Sequence, residues 1–93
     1  MVTIDWVDAI QYKNESYRVT SPCIEINPEN IGMNIGIIHF TLSGNVGNPH
    51  YKMRNFDATF LLKNTELYKV INEPDSIAAL VDGIYYKYEK QNK

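Results

Sequence analysis

The groups in this chain that could do chemistry are two histidines, one cysteine and a scatter of serines and carboxylates. Their spacing decides what they could do. A zinc site needs three or four Cys, His or carboxylate ligands converging in space, yet His39 and His50 have neither HxH nor HxxxH spacing, and Cys23 is the only free sulfur. No metal and no cofactor are expected. Ser16, Ser21, Ser43 and Ser76 lie in polar turn segments, and none sits in the GxSxG elbow of a nucleophilic hydrolase. Asp5 and Asp8 flank Trp6-Val7, a setting in which burial raises a carboxyl toward an acid–base range. A small acid–base enzyme using Asp8 with His39 or a tyrosine is therefore one reading. The plainer one is preferred: a strand-end carboxylate accepting backbone or tyrosine hydrogen bonds, in a protein that is not an enzyme.

Seven tyrosines offer a second kind of chemistry, because Tyr joins a large apolar body to a polar tip and suits binding surfaces. Tyr68, Tyr85 and Trp6 are the candidates for such an aromatic surface. Cross-strand tyrosine pairs also serve simple packing, and that use is the commoner one. A single-strand nucleic-acid platform would need a positive groove beside the rings. With 9 Lys and Arg against 11 Asp and Glu, the formal charge is −2 and no basic run concentrates positive charge. Weak single-strand nucleic-acid binding is thus the least favoured alternative, and no nucleic-acid partner is expected.

Residues 1–93 suit one β domain with a frayed tail at 90–93, since 44% apolar and 22% charged residues match an ordinary folded chain. A monomer or weak oligomer is expected. The lone Cys23 allows no internal disulfide and, between Pro22 and Ile24, reads as a small, partly buried apolar filler. No apolar run nears the ~20 residues of a membrane span, and residues 1–6 lack the basic and apolar regions of a signal peptide.

The elements that must carry these groups are strands. Asp82-Gly83 suits a type I′ turn, which pairs Val81 with Ile84, Ala79 with Tyr86 and Ile77 with Tyr88 on one apolar face. Leu80/Tyr85, Ala78/Lys87 and Ser76/Glu89 then fall on the other. Alternation from Ile4 to Tyr12 predicts a first strand with Trp6 and Ile10 inward and Asp8 awkwardly among them. Residues 13–16 form its turn, and residues 17–20 return as a second hairpin arm. Residues 21–34, with Pro22, Pro28 and Gly32, read as a wandering loop containing at most a short extended piece at 23–26. Ile38, Phe40 and Leu42 make residues 36–43 the central, best-buried strand candidate. Asp57 is expected to cap one helical turn, and residues 66–71 to form another strand. The sum is an all-β, partly closed barrel or sandwich of about five to seven antiparallel strands with at most one short helical turn.

Several stretches together resemble a family of small domains of unknown function met in secreted or lipid-anchored proteins of Gram-positive bacteria. The matching residues are Asp5-Trp6-Val7-Asp8 leading to Tyr17, Ile31-Gly32 with residues 35–40, and Asn45-Val46 with residues 49–52. Asp57-Ala58-Thr59-Phe60-Leu61 and Thr65-Glu66-Leu67-Tyr68 complete the set. In that pattern Gly commonly precedes the Asp-Ala-Thr-Phe-Leu motif and the Thr at 65, where this chain has Phe56 and Asn64. The resemblance implies a cell-surface or extracellular domain and supplies no catalytic residues. The expected function is accordingly a non-enzymatic accessory or binding module that recognises protein, peptide or cell-wall material.

Overall fold

The computed structural model describes residues 8–20, 23–45 and 51–91. In the closing hairpin β8 (Glu73–Val81) and β9 (Ile84–Lys90) pair across Asp82-Gly83. Both turn residues have positive φ, 51° and 81°, as a type I′ turn requires. The register is Val81↔Ile84, Ala79↔Tyr86 and Ile77↔Tyr88, the pairing that the turn dipeptide predicts. Ile77, Ala79 and Tyr88 are buried and join Ile10, Tyr17, Ile38, Ala58 and Leu67 in the core. At the other end of the chain, β1 (Ala9–Tyr12) and β2 (Glu15–Val19) form the expected second hairpin. Its loop is tighter than the four polar residues suggested. Lys13 and Asn14 alone turn the chain, both at positive φ.

The remaining strands are β3 (Glu25–Ile26), β4 (Ile31–Ile37), β5 (Phe40–Thr41), β6 (Asp57–Ala58) and β7 (Glu66–Val70). They complete one nine-stranded sheet ordered β4-β7-β8-β9-β2-β1-β6-β5, with β3 paired to β9 off this path. That order forces curvature. Laid flat, eight strands at about 4.8 Å spacing would hold the two edges about 34 Å apart. Yet the edge strands are consecutive in the chain, and the link from Ile37 to Phe40 spans at most about 11 Å. The sheet therefore curls into a half-barrel, and residues 38–39 are its seam. There the Ile38 N–H donates to the Thr65 carbonyl beside β7, while the His39 N–H donates to the Phe56 carbonyl beside β6.

Several expectations are corrected by this architecture. Among the described residues nine strands replace five to seven, because residues 25–41 hold three strands where a loop and one central strand were expected, and β6 stands where a helical turn was expected. Residues 36–43 are not the central strand: the chain leaves β4 at Ile37 and enters β5 at Phe40, at opposite edges of the sheet. Ile38 and Leu42 are nonetheless fully buried. The β5–β6 pair is parallel, against the antiparallel rule of the other strands. Asp57 caps no helix but lies in β6, and the one helical turn among the described residues is a 3-10 turn at Pro28–Asn30, capped by the Asn27 side chain on the Glu29 N–H at 3.0 Å. The tail is pinned further than expected, since Lys90 ends β9 and pairs with Glu15 at 2.9 Å, and the Gln91 N–H donates to the Ser16 carbonyl.

Candidate functional site

The β1–β2 and β7–β8 turns lie at the same end of the sheet, because β2 and β8 each begin there and both run antiparallel to β9. Curling brings the two turns across the mouth of the half-barrel, where they frame a cleft of about 420 Å³. Tyr12 and Tyr17 form one wall, Val70 and Ile77 the other, and Lys13 and Lys69 stand at the rim. The rings of Tyr12 and Tyr17 lie 6.1 Å apart, and Lys13 Nζ sits 5.5 Å above the Tyr12 ring. Glu73 also lines the cleft, but Lys87 neutralises it in an ion pair. Among the described residues neither Lys13 nor Lys69 joins an ion pair. The local balance is therefore positive in a chain that is negative overall. Sequence reasoning missed this site because each half is an ordinary turn. Only the sheet order places the turns together.

Asp8 and His39 are not brought together. The Asp8 carboxylate accepts the Tyr88 hydroxyl at 2.9 and 3.0 Å. The His39 ring instead stacks on Phe56, with centroids 4.9 Å apart, and the Phe56 N–H bonds Gln11, three residues along from Asp8. The two groups thus sit at opposite ends of β1, about 10 Å of extended backbone apart. Asp8 does meet a tyrosine, but Tyr88 is only 2% exposed, too enclosed to reach a substrate. Burial, with the Asp8 carboxylate beside it, pushes the Tyr88 phenol far up, so it remains a donor.

Burial also raises the Asp8 carboxyl above its usual range, and the hydrogen bond from Tyr88 offsets only part of that rise. The folded chain then holds a proton on Asp8 at pH values where the unfolded chain has lost it. Stability from this group is fullest below the ordinary Asp range and declines as pH rises through the elevated folded value. Urea melts of Asp8→Asn across about pH 3 to about pH 7 are expected to lose this component of the slope while keeping the Tyr88 acceptor. An unchanged slope would remove Asp8 as its source.

Tyr68 and Tyr85 face away from the core. Their rings meet edge to face at 5.5 Å across β8, where Tyr68 pairs opposite the fully buried Ala78 and Tyr85 opposite Leu80. The Tyr68 hydroxyl donates to Glu66, and both rings are half-buried. Trp6, the third aromatic candidate, and His50 lie outside the described residues. Cys23 is exposed, contrary to the partly buried filler expected from its neighbours, and the segment carrying it is held by β3 along β9 and by the Ile24 N–H on the Thr20 hydroxyl. Desolvation, with the Asp8 and Glu25 carboxylates nearby, pushes its thiol up and away from reactive thiolate. No protein-family model, curated protein or solved structure matches this chain.

Proposed function

We propose that this domain is a non-enzymatic binding module of the Gram-positive cell surface, whose ligand is a protein, peptide or cell-wall component held in the cleft between the two turns. The observation that carries this reading is the pair of uncompensated lysines, Lys13 and Lys69, beside the tyrosine wall. A concave site with apolar walls and a few placed polar groups is the usual form of a ligand pocket. Two ammonium groups favour a ligand bearing a carboxylate, as peptide termini and the stem peptides of cell walls do. The envelope setting draws on the family resemblance. Its two glycine positions correspond here to Phe56 and Asn64, and both have positive φ, 69° and 75°, which supports that resemblance.

Titrating a soluble, carboxylate-bearing cell-wall stem peptide into the labelled chain checks the reading by amide NMR. Shifts are expected to cluster at Tyr12, Lys13, Tyr17 and Lys69. A Lys69→Glu variant is expected to weaken binding by about tenfold or more, because it reverses a charge that meets the ligand. Absence of binding, or shifts confined to Tyr68 and Tyr85, would displace the cleft as the site.

A further inference from the structure

The β4 strand, Ile31-Gly32-Met33-Asn34-Ile35-Gly36-Ile37, reads almost the same from either end. About Asn34, Met33 mirrors Ile35, Gly32 mirrors Gly36 and Ile31 mirrors Ile37. The symmetry is one of sequence, and the pairing with β7 is irregular on both sides of Asn34. β4 is also a terminal strand of the sheet, so one side of its main chain has no strand partner among the described residues. Proteins ordinarily blunt such an edge with charged side chains, Pro or β-bulges. β4 has irregular pairing but no Lys, Glu or Pro, and carries no charge along its seven residues. Instead, Met33 is 73% exposed and Ile37 37% exposed.

We propose that β4 pairs antiparallel with β4 of a second copy, across a two-fold axis through Asn34. That axis sets Met33 against the partner's Ile35, Gly32 against the partner's Gly36 and Ile31 against the partner's Ile37. Each residue thus meets its like. A two-fold contact must be self-complementary, and a nearly palindromic strand without charge satisfies this with no like-charge repulsion between identical edges. A heterologous peptide would need no such symmetry. The strand is about 23 Å long, and a contact one strand wide stays well below the ~800 Å² per partner of a standard interface. The dimer is therefore reversible and concentration-dependent. It does not depend on the ligand cleft.

Sedimentation of the full chain tests this directly. The average mass is expected to climb from 10.7 kDa toward twice that value as concentration rises, with the amides of residues 31–37 shifting in parallel. Met33→Glu alters an exposed position, spares the core, and is expected to weaken association about tenfold by setting a carboxylate against the partner's Ile35 and like charges diagonally across the pair. In a Cys23→Ser background, Asn34→Cys is expected to cross-link on oxidation, since directly opposed residues have Cα atoms about 4.5 to 5.5 Å apart, within disulfide reach. A mass fixed at the monomer value to millimolar concentration overturns the proposal. So does a dimer that Met33→Glu leaves intact or that Asn34→Cys never cross-links.

Discussion

Replacing Gly36 by Ala is expected to lower the stability of the fold by about 2–5 kcal/mol, from overpacking and backbone strain together. A Cβ at this position would lie 2.5 Å and 2.9 Å from two carbons of the Phe56 ring, closer than side chains tolerate. The ring has little room to yield, because it packs edge-on against Tyr12 at 5.7 Å and lies against His39 at 4.9 Å. Gly36 also has φ of 143°, a conformation L residues rarely adopt. For a domain of this size the loss corresponds to a fall in melting temperature on the order of 10–40 °C. Gly44 provides the control: its φ is 82° but nothing lies within 4 Å of a Cβ there, so Gly44→Ala should cost only about 1 kcal/mol. Equal losses at the two glycines would show that the ring contact is not what matters. A double-mutant cycle with Phe56→Ala should recover part of the Gly36→Ala loss by removing the atoms it strikes.

Asp57→Ala is expected to cost about 3 kcal/mol, a large share of the margin by which such a domain is stable. Its side chain is 3% exposed, and Oδ2 accepts the Arg54 N–H at 2.8 Å and the Tyr51 hydroxyl at 2.9 Å, with Arg54 Nε at 3.7 Å. One carboxylate thus folds residues 51–57 back on themselves just before β6. The hydrogen bond to Asp57 raises the Tyr51 phenol and keeps its proton in place. Tyr51→Phe removes one of these bonds and should cost less than Asp57→Ala. Urea unfolding measures the global loss, and amide exchange at residues 51–58 should report where the opening occurs. A loss below about 1 kcal/mol for Asp57→Ala would mean that the segment is held by other contacts.

Both substitutions act next to residues whose roles the sequence disguises. Alternation of Ile38, Phe40 and Leu42 identifies which side chains face inward, and Ile38 and Leu42 are indeed fully buried. It says nothing about which strand lies alongside. At the seam the hydrogen-bond partner changes from Thr65 to Phe56 between adjacent residues, while the inward face continues unbroken. A period-2 pattern therefore concealed the break. Phe56 gives no sequence signal for a left-handed backbone, since its cost is met by tertiary packing on Gly36, Tyr12 and His39. Asp57 has the right residue type for a cap, but its acceptor serves a tight turn instead. The closing hairpin was readable in full because a local dipeptide sets its register. The cleft was not, because Lys13 and Lys69 meet only through long-range strand order.

That strand order also governs when the chain can complete itself. β9 is flanked in the sheet by β8 and β2, so the N-terminal hairpin joins the main body through a strand made more than sixty positions after it. During synthesis β1 and β2 can close on each other early and β6 can then pair with β1, yet the β2 edge has no strand partner until residues 84–90 have left the ribosome. Closure of the sheet is consequently late: local turns form first, and the long-range pairing of β2 with β9 comes last.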